Sequence, residues 1–292
     1  MKPPPFDYYA PRDVEEALAL LERFGSDARV LAGGQSLVPL MNMRLAAPQQ
    51  IVDINQIASL DYIEEHDGYL CIGALARHRT IEQSPLVAAR CPLLSEAVRF
   101  IGHTQVRTRG TIGGSMAHAD PAAEYPVVLA TFDGVIIAQS SRDQRSIGWQ
   151  QFFLGPYTVD LQPDEMVMEI RLRKPIQPAA GAFSELSRRH GDFALVEASV
   201  QLEVDSAGAC ADAQIALGGV GGAPVRATRA EHYLCRRHVN QTHCKQAAAL
   251  AAEELEPDDD LHASAEYRKQ MASLLVTRAL TQASKLAVRP NR

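Results

Sequence analysis

The chain has 292 residues, 46% hydrophobic and 22% charged, with a formal net charge of −6 at pH 7. That is long enough for two or three domains with real cores, ordinary for a soluble globular protein, and the wrong charge balance for nucleic acid as the main partner. The start, MKPPPFDYYAPRD, has no apolar signal core, no run of about 18 apolar residues occurs, and five scattered cysteines form no C-x-x-C pair. The expectation is a cytoplasmic protein with reduced thiols, no membrane segment and no iron–sulfur ligand pattern of its own.

In chain order, Asp13 can cap a helix running to Phe24, with Glu16 as its capping-box partner. Val14, Ala17, Leu18, Leu21 and Phe24 make its apolar face, and Gly25 ends it. A strand over 29–32, a glycine turn, a helix over 37–44 and a strand over 51–54 follow. This βαβ-like unit is too small to stand alone and reads as one lobe of a larger domain. Residues 69–73 read as a strand, 80–84 and 86–90 as short helical pieces broken at Pro85, and 93–101 as a helix. A polar, glycine-rich stretch over 102–124 leads into an apolar helix over 122–132. A strand over 134–138, an aromatic-rich link over 147–157 with the only tryptophan, Trp149, and a strand over 166–172 come next. Pro175 and Pro178 mark the best domain boundary. Beyond it lie strands over 183–187, 195–204 and 213–220, then helices over 229–235, 243–254 and 267–286. Sheet followed by helices predicts an α+β C-terminal domain.

Two stretches stand out. GHTQVRTRGTIGGSMAHADPAAE (102–124) is too polar for core and too long for an ordinary connection, yet apolar segments bracket it, which argues for function rather than disorder. Gly113, Gly114 and Ser115 suit a place where backbone approaches a ligand closely. VLAGGQSL (30–37) repeats the idea: Gly33, Gly34 and Ser36 sit between a strand and a helix start, with Pro39 in the first helical turn. Free N–H groups and the helix dipole there favour an anion. One GG alone is a tight turn; two glycine–serine loops together point to a bound diphosphate. Neither is followed by the lysine of a P-loop.

AGGQSLVPLMNMR followed by VDIN, together with the 102–124 stretch, resembles the FAD-binding medium subunit of molybdenum hydroxylases, the family of aerobic carbon monoxide dehydrogenase, quinoline 2-oxidoreductase and the flavin domain of xanthine dehydrogenase. SRRHGDFALV (187–196) and ALGGVGGAPVRA (216–227) extend the resemblance over essentially the whole chain. It implies a two-lobed FAD-binding domain of the PCMH type over 1–175, with lobes of about 1–58 and 59–175, followed by an α+β C-terminal domain over 176–292. It places Ala32, Gly33, Gly34, Gln35, Ser36 and Leu37 and Thr111, Ile112, Gly113, Gly114 and Ser115 around the FAD diphosphate. Asp120 becomes an acceptor for a sugar or ribityl hydroxyl; read locally, it is instead the N-cap of a helix beginning at Pro121, and both roles can hold. His118 either donates to the cofactor or lines the loop. Val167 offers backbone to the polar edge of the isoalloxazine, Ile101 touches the ring, and Phe193 lies near one face of it, where it would restrict which acceptor docks.

Other motifs carry less. GGVGGA (218–223) is not G-x-G-x-x-G, is followed by Pro224 and has no βαβ unit around it, so it reads as a turn. His232, Cys235, His238, His243 and Cys244 do not have common zinc spacing. No G-x-S-x-G or H-E-x-x-H occurs. In a subunit that only relays electrons, FAD supplies the chemistry and the protein supplies position and electrostatics. The resemblance implies an FAD-carrying electron-transfer subunit. Its large partner holds molybdopterin and its small partner two [2Fe–2S] clusters, in a dimer of heterotrimers that passes electrons to an external acceptor. Two rivals are a self-sufficient FAD oxidoreductase and a non-enzymatic nucleotide-binding module.

Overall fold

The computed structural model describes residues 2–173, 179–205 and 207–287. Pro175 and Pro178, the expected boundary, lie outside the described residues.

The first lobe contains β1 (Asp7–Tyr9), α1 (Val14–Phe24), β2 (Ala28–Leu31), α2 (Leu37–Asn42) and β3 (Gln50–Asp53). Asp13 caps α1 by accepting from the Glu16 N–H at 2.8 Å, while Glu16 returns a bond to the Arg12 N–H at 3.0 Å. Gly25, at φ +51°, ends the helix. The three strands form a parallel sheet in the order β1-β3-β2. Leu18 and Leu21 of α1 bury against Val52 and Ile54.

The second lobe begins with β4 (Ile63–His66) and β5 (Tyr69–Gly73). Six helices follow: α3 (His78–Gln83), α4 (Pro85–Arg90), α5 (Pro92–Ala97), α6 (Thr104–Arg109), α7 (Ile112–His118) and α8 (Glu124–Thr131). The lobe closes with β6 (Val135–Gln139), β7 (Gln144–Gly148), α9 (Trp149–Phe152), β8 (Phe153–Gly155), β9 (Thr158–Val159) and β10 (Met166–Arg173). An antiparallel sheet runs β4-β5-β10-β6-β7. Its edge strands β4 and β7 escaped the sequence reading because IEEH and QRSIG are mostly polar, as exposed edges are.

Two expectations need correction here. The 102–124 stretch is not structureless, since α6 and α7 occupy most of it. The following helix starts at Glu124, not Ala122, and its N-cap is Ala123. Asp120 is therefore no helix cap; its Oδ1 accepts from the Ala122 N–H at 3.0 Å and closes a short turn.

The C-terminal part is β11 (Ala180–Ser187), β12 (Ala194–Val204), β13 (Cys210–Gly218), β14 (Val225–Arg226), α10 (Thr228–Leu234), α11 (Gln241–Glu253) and α12 (Ala265–Ala287). The strands form an antiparallel sheet in sequence order. Val196, Ala198, Val200 and Leu202 of β12 face α12 and bury with Ala272, Val276 and Leu280. The alternate face carries Glu197 and Ser199 and meets α8, where the Thr131 hydroxyl donates to Ser199 Oγ at 2.7 Å. Every residue of α8 is buried, because it is sandwiched between this sheet and the second lobe.

Candidate functional site

A cleft of about 880 Å³ opens between the two lobes and the β11–β12 turn, which is within the range of small-molecule and cofactor sites. Residues 32–37 line it from the first lobe. Ile101, Thr111, Gly113, Gly114, Ser115, His118, Asp120 and Val167 line it from the second, and Phe193 from the β11–β12 turn. Ile112, expected with its neighbours, does not. It is the first residue of α7, and its side chain is fully buried in the second-lobe core.

The two glycine loops look alike in sequence and differ in what they offer. In the first, the N–H groups of Gly33, Gly34, Gln35 and Ser36 meet no protein acceptor among the described residues. Gly34 adopts φ +71°, a conformation that side chains resist. The helix behind it, α2, has only six residues, so what this loop offers an anion is its free donors rather than a long helix dipole. In the second loop the N–H groups of residues 112–115 are already engaged. Ile112 donates to the Ala76 carbonyl at 3.1 Å, Gly113 to Ala74 at 3.0 Å and Ser115 to Thr111 at 3.0 Å. Gly114 donates to Thr111 Oγ1 at 3.2 Å, which makes Thr111 the N-cap of α7. The second loop thus contributes closeness and the Ser115 hydroxyl. A Cβ on Gly113 would sit 2.6 Å from that of Ala74, so the glycine lets α7 press onto the 74–78 segment.

Asp120 faces the cleft with Oδ2 accepting from the Tyr157 hydroxyl at 3.4 Å. The His118 and Tyr157 rings pack at 5.2 Å. Burial pushes the His118 pKa down, against the pull of Asp120, so its imidazole is neutral near pH 7. Val167 sits beside a register shift in the β10–β6 pairing, and β5 pairs β10 only from Glu169 onward. A bulge at that point leaves one edge of Val167 turned to the cleft. Phe193 stands at the rim, 73% exposed.

Sequence reasoning missed several residues behind the lining. Arg107 is buried, donates to Glu82 Oε2 at 3.2 Å, and holds the 101–102 turn by donating to the Ile101 and Gly102 carbonyls at 3.1 and 2.9 Å. His78 lines the cleft, bonds the Tyr125 hydroxyl at 3.1 Å through Nδ1, and is pushed down to about 3 by burial and by Arg107 and Arg77. The only sequence signal was a cation inside an apolar neighbourhood, which helix ends also produce.

Residues 4–175 match the family model described as the FAD binding domain in molybdopterin dehydrogenase, and 181–283 match the CO dehydrogenase flavoprotein C-terminal domain. The chain belongs to the FAD-binding medium subunits of the molybdenum hydroxylase family. It is 41% identical over 283 residues to 6-hydroxypseudooxynicotine dehydrogenase complex subunit alpha of Paenarthrobacter nicotinovorans, covering 97% of this chain and 96% of that one. The carbon monoxide dehydrogenase medium chain of Hydrogenophaga pseudoflava is 37% identical, at 97% and 98% coverage. Among solved structures, quinoline 2-oxidoreductase from Pseudomonas putida 86 superposes with a TM-score of 0.95 at 36% identity, covering 99% of this chain and 100% of that one. The fold expected from sequence, an FAD-binding domain followed by a C-terminal domain, is therefore the fold of this family, and the chain is an oxidoreductase subunit that binds FAD. The residues present fit that cofactor: the donors of residues 33–36 suit a diphosphate, and the same cleft is lined by Val167 and Phe193.

Proposed function

We propose that this chain carries electrons from the [2Fe–2S] clusters of a small partner subunit to an external acceptor through its FAD, within a dimer of heterotrimers whose large subunit holds molybdopterin. The observation that carries the reading is the row of free N–H donors at Gly33, Gly34, Gln35 and Ser36, facing a cleft whose opposite wall is fixed backbone. FAD supplies the ability to take electrons singly and deliver them in pairs. The protein's part is to hold and to shield. The donors of residues 33–36 neutralise the diphosphate, Ser115 adds a hydroxyl, and Asp120 accepts from a ribityl or sugar hydroxyl. Val167 presents backbone to the polar edge of the ring, Ile101 bounds it, and Phe193 screens one face. His118, neutral, serves as donor or as wall. Domain limits of 1–175 and 176–292 belong to the same reading.

The five cysteines support a relay rather than a cluster site, since Cys91 sits in the second-lobe core, Cys71 is buried on β5 apart from it, and Cys210, Cys235 and Cys244 lie in or beside the C-terminal core. No helix among the described residues is long and apolar enough to cross a membrane, and a cytoplasmic location is part of the proposal. The test is a tagged chain expressed with its native neighbours. The complex should co-purify, show flavin and iron–sulfur absorption, and bleach both on anaerobic addition of the organic substrate. A lone monomer with full dehydrogenase activity would reverse the assignment.

A further inference from the structure

The two glycine loops come from different lobes, and a diphosphate between them needs their spacing held. Glycine provides contact: a Cβ on Gly33 would lie 2.4 Å from the Arg109 carbonyl oxygen and 2.7 Å from Gly110 Cα. Contact alone can slide. Behind it runs a chain of hydrogen bonds through two residues that do not line the cleft, Asn55 and Arg77. Asn55 Nδ2 donates to the Ala32 carbonyl at 2.8 Å, at the root of the first loop. The Arg77 guanidinium donates through one nitrogen to Asn55 Oδ1 at 2.6 Å and through the other to the Arg109 carbonyl at 2.5 Å, at the root of the second. The Arg77 backbone is tied to the same place, through an antiparallel bridge to Thr111 and the His78 N–H donating to the Gly110 carbonyl at 3.0 Å.

The partners of this guanidinium are all neutral. Among the described residues no carboxylate comes within ion-pair distance of Arg77, although it is half-buried and burial depresses its pKa. The cost of burying this cation is offset only in part by Asp61 and Asp53, which favour its charge from beyond ion-pair distance, and a neutral side chain would avoid that cost. What only arginine provides is a rigid planar fork that reaches two acceptors at a fixed separation. The two acceptors here belong to different lobes.

We propose that Arg77, acting through Asn55, is a positioning residue that sets the distance between the two glycine loops and so preorganises the diphosphate site. The proposal rests on the reading that the FAD diphosphate lies between those loops. The distinguishing experiment uses the native complex, stripped of FAD and reloaded, with Arg77→Met, Asn55→Ala and the double variant. Two quantities are read: amide exchange in the FAD-free complex at Val38 and Leu40, whose N–H groups donate to Gly34 and Ser36, and at Gly110 and residues 112–115, and the FAD dissociation constant. Each single variant should speed exchange in both loops and raise the dissociation constant about tenfold, with turnover retained at saturating FAD. The double variant should be no worse than the weaker single one, because both break one chain of bonds. Additive losses, or unchanged exchange, overturn the clamp. Faster exchange with unchanged FAD affinity overturns the cofactor's placement between the loops, and the positioning role with it. Should Arg77→Met fail to assemble, Arg77→Lys keeps charge and length but not the fork; wild-type exchange and affinity in that variant also overturn the proposal.

Discussion

Gly34 holds φ at +71°, with Val38 and Leu31 side-chain carbons 3.2 and 3.3 Å from where a Cβ would stand. Gly34→Ala therefore meets both strain and crowding, about 1 kcal/mol or more, and tilts donors that face the cleft. The expected outcome is an at least roughly tenfold higher FAD dissociation constant, read from flavin content after gel filtration. Gly114→Glu should abolish FAD binding outright, since it places bulk and negative charge in the cleft wall where a Cβ already comes within 2.8 Å of Thr111 Oγ1. Flavin retention at the wild-type level in that variant would remove the diphosphate from this wall. Phe193 acts differently. It is exposed and touches little of the core, so Phe193→Ala should leave FAD bound while changing which acceptors, oxygen included, reoxidise the reduced complex. Stopped-flow reoxidation rates identical to wild type would exclude that role.

At the scale of elements, strands and long helices were readable because burial gives them a period: residues 69–73 were placed to the residue, and α11 and α12 within two or three. The polar helices α6 and α7 were not. TQVRTR and IGGSMAH lack an apolar stripe, and two glycines weigh against helix by propensity. α7 exists because Thr111 caps it and because Gly113 lets it dock on residues 74–78. Thr111→Ala should cost about 1 kcal/mol of stability and free the Gly114 N–H, measurable as a lower melting temperature with FAD affinity reduced. The site was legible wherever glycine marked it. The donor asymmetry was not, since AGGQS and TIGGS carry the same signature and only the contacts of residues 74–78 distinguish them. Asn55, Arg77, His78 and Arg107 were silent for a related reason: Asn55 and Arg77 bond across the lobes, His78 bonds Tyr125 and Arg107 bonds Glu82, all far apart in sequence, and no local pattern announces such bonds.

Across the whole molecule, two buried carboxyls and one half-buried one gather where α8 meets the C-terminal sheet. Glu185 and Glu197 face each other across β11 and β12, and Glu124 opens α8 above them. Both oxygens of Glu197 and one of Glu185 lack partners. Burial, reinforced for Glu124 and Glu197 by the neighbouring carboxylates, pushes Glu124 up to about 8, Glu185 to about 7, and Glu197 upward as well. A carboxyl whose pKa is higher folded than unfolded contributes fully below the unfolded value, and that contribution is lost as pH rises through the folded one. Stability should thus fall between about pH 5 and 8 from this cluster, and Glu197→Gln should flatten the decline. Thermal unfolding scans across that range check it, and a variant that keeps the wild-type slope would discharge Glu197 from the effect. The exposed Val38, Met43 and Leu45 on and after α2 form apolar surface beside the first glycine loop, of the kind partners cover.

Met166, the first residue of β10, is buried in the first-lobe core beside Leu18 and Ile54, whereas Ile170 and Leu172 of the same strand belong to the core of the second. One strand is shared, so parting the lobes draws Met166 out of the first-lobe core. Opening the cleft then means undoing part of that core. Cofactor exchange then becomes an unfolding rate rather than a diffusion rate, steep in temperature, and the flavin's residence time reports the strength of a single strand's anchorage. A chain built this way should take up and release its cofactor slowly, so that stripping and reloading the complex are sluggish in the cold and quicken steeply on warming.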